Sequence, residues 1–227
     1  MSRCHRFFIL SLLISSSDLS PGFVARAEET KLPTVVLMGD SIRMGYAPFV
    51  SEALKGKATV ISDPQNGGDS ANLLAHLDEW AVQKHPDIVH FNCGLHDLKR
   101  NKKTGQYQIP LEQYETNLKK IIERLQKETT ARLIFATTTP IHDDRHSKRG
   151  ADFDRREADV RQYNEVAIRV AKAAGIAVDD LHAFVVEQGA DEFLGPDGTH
   201  YDATHSRKLA KVVTDNLTKE LDAKKKP

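Results

Sequence analysis

Apolar positions along the chain follow two different periods. Five short runs are almost wholly apolar and rich in β-branched residues: TVVLMG (34–39), ATVIS (58–62), DIVHFNCG (87–94), ARLIFATTT (131–139) and GIAVDDL (175–181). A strand with one wet face alternates apolar and polar positions, so unbroken runs predict strands covered on both faces. Between the runs the spacing becomes helical: Leu73, Leu74, Leu77 and Trp80; Leu118, Ile121, Ile122 and Leu125; Val166, Ile168, Val170 and Ala171; Leu209, Val212, Val213 and Leu217. Strand and helix in alternation predict an α/β chain with a five-stranded, mainly parallel sheet between two helical layers. Each return to a parallel strand needs a crossover long enough to hold a helix. Two stretches fit neither period, IHDDRHSKRGADFDR (141–155), read as a polar loop at a substrate rim, and the frayed DAKKKP end.

The chain start departs from this pattern. Arg3 and Arg6 precede the apolar FFILSLLI (7–14), and Ala25-Arg26-Ala27 has the small-x-small form of a signal-peptidase site. Residues 1–27 are expected to be a signal peptide, residues 28–222 the domain, and residues 223–227 a disordered basic tail. The apolar run is shorter than the roughly 20 residues of a membrane span, so export to a secreted or periplasmic location is expected, with no stable membrane insertion afterwards. Cleavage would remove Arg3, Arg6, Arg26 and Asp18, turning a formal net charge of 0 into −2, which gives no basic surface for nucleic acid. Cys4 would leave too, and Cys93 alone cannot form an internal disulfide. A chain of 227 residues, 40% hydrophobic, buries one sizeable core.

In open parallel sheets the ligand crevice lies beyond the carboxyl ends of the strands. The first strand ends there in Gly39-Asp40-Ser41, where glycine lets the backbone turn and leaves a serine at the sheet edge. A serine hydroxyl needs a base within hydrogen-bond reach and a third group to hold that base in the right tautomer. LGPDGTHYD (194–202) supplies both: Asp197 stands three residues before His200, a spacing that in a turn brings the carboxylate to one ring nitrogen and leaves the other facing Ser41.

GDS (39–41), NGGDSAN (66–72), NCGLHDL (92–98) and DGTH (197–200) occur in the order found in the SGNH hydrolases, also called GDSL esterases and lipases. The resemblance spans essentially the whole mature chain, and TTTP (137–140), YNEVA (163–167) and VDDL (178–181) match the family's scaffold. It implies a flavodoxin-like α/β/α fold, no cofactor and no metal, and an ester substrate, a small molecule or a carbohydrate ester, cleaved through an acyl-serine. By the same resemblance Ser41 is the nucleophile, His200 its base and Asp197 the acid. The N–H groups of Ser41 and Gly68, with Gly67 as the alternative register, bind the oxyanion. The family carries Gly-x-Asn-Asp where this chain has Gly94-Leu95-His96-Asp97. His96 can donate in place of that asparagine if protonated or in the right tautomer; the other reading pairs it with Asp97 as a loop residue.

The favoured substrate is a short-chain, above all acetyl, ester on a carbohydrate, because no long apolar segment suggests a lipid-binding lid. An acyltransferase built on the same triad and a non-catalytic binding protein keeping the fold are the alternatives. Cys93 with His96 and Asp97 as a thiol site, and His142 with His146 as metal ligands, are weaker readings than a buried cysteine and a solvated loop. Arg145 and Arg149 are read as surface charges or contacts to a polar substrate, and Trp80 as core rather than a sugar platform.

Overall fold

The computed structural model describes Met1 and residues 31–223. The signal peptide, its cleavage point, Cys4 and residues 224–227 of the tail lie outside the described residues. From Thr34 the chain runs β1 (Thr34–Met38), α1 (Ser41–Ala53), β2 (Thr59–Ser62), α2 (Ser70–Ala75), α3 (Leu77–Trp80) and β3 (Ile88–Phe91). It continues through β4 (Arg100–Asn101), α4 (Leu111–Glu128), β5 (Arg132–Ala136), α5 (Asp143–Ser147), β6 (Phe153–Asp154) and α6 (Glu157–Ala173). β7 (Ala177–Asp179), α7 (Leu181–Glu187), α8 (Ala190–Phe193) and α9 (Ala203–Ala223) complete it.

All five apolar runs are strands of one parallel sheet, ordered β2-β1-β3-β5-β7. Val36 sits at the centre, in register with Ile61 on one side and Val89 on the other. β1 and β3 are buried along their whole length, as unbroken apolar runs require, whereas the edge strands β2 and β7 are partly exposed. Right-handed crossovers send the helix after β1 to one face and the helices after β2, β3 and β5 to the other. Accordingly α1 packs on α9, while α4 packs between α2 and α6. The order reverses between β1 and β3, the switch point where open sheets leave a crevice.

Sequence dictates these helices locally. In α4 the predicted stripe Leu118, Ile121, Ile122 and Leu125 is at most 1% exposed, each side chain contributing about 1.5–3 kcal/mol by burial. A charge at Ile121 would therefore break the α4 layer. The expected single helix around Leu73–Trp80 is instead broken at His76, whose Nδ1–H donates to Asn72 O at 3.0 Å and whose ring stacks on Trp80 at 4.6 Å. Trp80 is 3% exposed, a core residue.

Two further expectations are corrected. Residues 141–155 are not a solvated loop: they contain α5 and β6, the latter paired antiparallel with β4, and His146 and Arg155 are buried. A backbone hydrogen bond ties this segment to the loop before α9, with His142 N–H donating to Gly198 O at 2.9 Å. The chain end differs by one residue: α9 runs to Ala223, the first residue of the expected tail.

Candidate active site

Ser41 opens α1 directly beyond β1. Asp40 caps the helix, its Oδ1 accepting the Ile42 N–H at 2.9 Å, so Ser41 holds the first helical position, where the N–H has no partner inside the helix. The turn needs glycine at residue 39: φ is +151°, and a Cβ there would lie 1.8 Å from Asn92 Oδ1. Burial raises the Asp40 carboxyl pKa against the Ile42 N–H, Asn92 and the cations Arg155 and Arg43.

The loop before α9 brings the other two groups to this point. Ser41 Oγ and His200 Nε2 are 2.8 Å apart, and His200 Nδ1 is 2.6 Å from Asp197 Oδ2. The carboxylate is oriented by the backbone, because Asp197 Oδ1 accepts the N–H groups of Thr199 at 3.0 Å and His200 at 2.9 Å. Burial alone would raise the Asp197 pKa, but the bonds from His200 and Thr199 outweigh it and hold the carboxyl at about 2. An ionised acid at Nδ1 fixes the proton there, leaving Nε2 free to take one from Ser41. The i, i+3 turn expected from sequence thus brings Ser41, His200 and Asp197 into one chain of hydrogen bonds.

The two glycines of the second block are held differently. Gly67 N–H donates to Gly39 O at 2.8 Å, so it is turned toward the β1 loop and has nothing to offer a substrate. Gly68 N–H faces Asn66 Oδ1 at 2.9 Å, at the exposed surface. Of the two registers, only Gly68 leaves a donor that a stronger acceptor can win. Ser70, two residues on, is anchored through its N–H and its Oγ by Asp97, and Asn117 donates to the same Oγ at 2.9 Å. Asp97 is therefore paired with Ser70 and not with His96.

His96 is half-buried beside His200, and its ring has no protein partner among the described residues. Burial, reinforced by Lys99 and Arg155, lowers its pKa to about 3. With its pKa held this low the ring is neutral at neutral pH, so a donor role would require a neutral tautomer.

Other residues singled out by sequence have ordinary partners. Cys93 is 1% exposed and burial pushes its thiol well above the usual range, so it supplies no thiolate. His142 accepts the Arg145 N–H at the start of α5, while His146 bonds Asp154 at 3.2 Å, so the two imidazoles serve different contacts. Arg145, half-buried, donates through Nη1 to Asp191 O at 2.8 Å and Leu194 O at 3.0 Å, which ties α5 to α8.

Two buried arginines escaped the sequence reading. Arg43, 3% exposed, gathers the carbonyls of Gly39, Asp63 and Gln65 with Ser62 Oγ, tying the β1 loop to the β2 loop. Arg155, 4% exposed, donates to Leu95 O at 2.7 Å, next to His96; burial lowers its pKa to about 10 against the pull of Asp40. Neither has a sequence signal beyond its charge. Beside His200 opens a cleft of about 540 Å³ walled by Phe193, Leu194, Pro196 and Tyr201, more apolar than the polar crevice expected.

Comparison with known proteins agrees with this geometry. The curated plant protein GDSL esterase/lipase CPRD49 of Arabidopsis thaliana is 27% identical over 197 residues, covering 78% of this chain and 76% of that one. A lipase/acylhydrolase from Enterococcus faecalis superposes with a TM-score of 0.69 at 23% identity, over 82% of this chain and 95% of its own. The acetyl xylan esterase AlAXEase gives 0.66 at 20% identity, over 81% and 99%. With residues 37–206 matching the model of the GDSL-like lipase/acylhydrolase family, a span that begins in β1 and ends just past His200, the chain belongs to that family and is an ester hydrolase.

Proposed function

We propose that the protein is an exported serine esterase that removes short acyl groups, above all acetyl, from carbohydrate esters through an acyl-Ser41 intermediate. The observation that carries this reading is the unbroken relay from Ser41 Oγ through His200 to Asp197, at 2.8 and 2.6 Å. Ser41 Oγ attacks the ester carbonyl as its proton passes to His200 Nε2, and the Asp197 carboxylate stabilises the resulting imidazolium. Charge on the carbonyl oxygen is met by the N–H groups of Ser41 and Gly68 and by His96. The Gly68 N–H must leave Asn66 Oδ1, a neutral amide acceptor that a full oxyanion outcompetes. Collapse expels the alcohol, which takes the proton from His200, and a water molecule repeats the sequence to release the acid.

Support for a short acyl group comes from the relatives: among similar solved structures are AlAXEase and Axe2 from Geobacillus stearothermophilus, both described as acetyl xylan esterases. Export rests on the sequence features of residues 1–27. An acetyl-ester panel run on the mature protein tests activity and acyl size together. Ser41→Ala is expected to abolish turnover and labelling by a fluorophosphonate probe. Undiminished hydrolysis by that variant removes Ser41 from the mechanism, and a folded wild-type protein that resists the probe favours a binding role.

A further inference from the structure

Three cations crowd the His96 side of the Ser41–His200 pair, and the hydrolysis described above uses none of them. Arg149 Nη1 stands 3.9 Å from Asp197 Oδ2. Lys99 Nζ and the Arg155 guanidinium lie 5.1 and 5.0 Å from the centroid of the same Phe153 ring. Like charges brought together and partly removed from water repel unless an anion joins them. Among the described residues neither Lys99 nor Arg155 forms an ion pair, and Arg155 Nη2 has no protein acceptor. Of the carboxylates that act on them from further away, Asp69 is engaged by Asn72 and Gln108, Asp40 by Ile42 and Asp197 by His200, while Asp152 offsets part of the Lys99 charge.

One of these cations, Lys99, borders a second opening. A groove of about 400 Å³ begins at Lys99, Asp152 and Phe153, where one cation faces one carboxylate, and continues between Asn101, Thr104, Gln106, Tyr107 and Gln108. Its amide and aromatic walls suit a hydroxylated ring, whereas the cleft beside His200 is walled mainly by apolar side chains and suits the acyl group. We infer that Lys99, Arg149 and Arg155 form a subsite for an anionic group, a carboxylate or sulfate, carried on the alcohol part of the ester. The Arg149 guanidinium can grip such an anion in two-point fashion, Arg155 offers its remaining Nη2, and the lysine adds a point charge. The segment 141–155, which supplies both arginines, thereby becomes the wall that selects the substrate. This inference rests on the esterase reading of Ser41.

The test compares kcat/KM of the full chain on matched acetyl esters of methyl glucoside and methyl glucuronoside, with p-nitrophenyl acetate and mono-p-nitrophenyl succinate alongside. The glucuronoside ester is expected to be preferred by about tenfold at low ionic strength. That preference should shrink with added salt, because Lys99 and Arg149 reach solvent. Lys99→Gln and Arg149→Gln should each move the ratio of the two sugar esters toward one. The ratio within each variant is the readout, since Arg149 also touches Asp197 and can alter both rates. A wild-type ratio at or below one, with p-nitrophenyl acetate hydrolysed, overturns the subsite; so does a ratio that neither substitution changes. A preference for the succinyl half ester over the acetate, with no preference between the sugars, overturns its placement on the alcohol side. Failure to turn over all four esters overturns the esterase reading and the subsite with it.

Discussion

Replacing Arg43 by methionine keeps most of the aliphatic stem and deletes the charged head. Gly39 O retains the Gly67 N–H at 2.8 Å, but Ser62 Oγ, Asp63 O and Gln65 O lose donors at 2.8, 2.6 and 2.6 Å. A hydrogen bond to a charged donor contributes about 1.5–3 kcal/mol, and these three acceptors lie near enough to the surface for water to restore roughly half of the sum. The expected cost is about 3 kcal/mol, which in a domain of this size lowers Tm by roughly 6–12 °C and leaves most of the ordinary 5–15 kcal/mol of stability. Because the guanidinium joins the loops that carry Gly39 and Gly67, their alignment should loosen as well, and kcat on p-nitrophenyl acetate should fall about 10–100-fold. Urea unfolding followed by circular dichroism gives the first quantity and steady-state kinetics on the still-folded variant the second. A stability loss under about 0.5 kcal/mol would refute the hydrogen-bond argument. Lost stability with unchanged kcat would confine Arg43 to holding the fold.

His96→Ala should lower kcat by about 10²–10³ if its N–H receives the oxyanion, with KM little changed; an unaltered kcat demotes it to scaffold. His96→Asn has a separate, pH-dependent signature. Folded His96 stays neutral down to about pH 3 while the unfolded chain takes up a proton near 6.5, so its contribution is complete above pH 6.5 and is lost as the pH falls. Asp97, raised to about 6 by burial, acts in the opposite sense over an overlapping range, but it is common to both proteins and cancels. The Tm of His96→Asn relative to wild type should therefore rise between pH 7 and pH 4, and a constant difference would contradict a neutral His96. Gly67→Ala should destabilise more than Gly68→Ala. A Cβ at 67 meets the Gly39 carbonyl oxygen at 2.7 Å, whereas at 68 the nearest atom is 3.6 Å away and the cost is only that of φ +64°. Thermal melts of the two variants decide it.

The strands were legible because a both-faces-buried strand must be apolar at every position, and β1 and β3 obey this along their length. β4 and β6 were not: each has only two residues, and what pairs them is Arg100 with Asp154 and Asn101 with Phe153, across a long separation that no local period marks. The helical break at His76 was equally hidden, since Leu73, Leu77 and Trp80 keep their spacing on either side of it. Within the site, Ser41, Asp197 and His200 were readable from short motifs whose geometry is made locally, by a helix start and a turn. The bond that holds the Gly67 N–H was not, because it depends on Gly67 reaching Gly39 across two loops. Arg43 and Arg155 left no trace in the sequence for a related reason: what they bind is mostly backbone carbonyl, which every residue possesses.

Ser41 and His200 are 159 positions apart, and α1, which carries the serine, lies against α9, which follows the histidine. Synthesis delivers the hydroxyl early and its base late, so a nascent polypeptide arrested before residue 200 possesses an inert alcohol. In such a protein the hydroxyl and the imidazole cannot meet until residue 200 has been made and α9 has docked on α1.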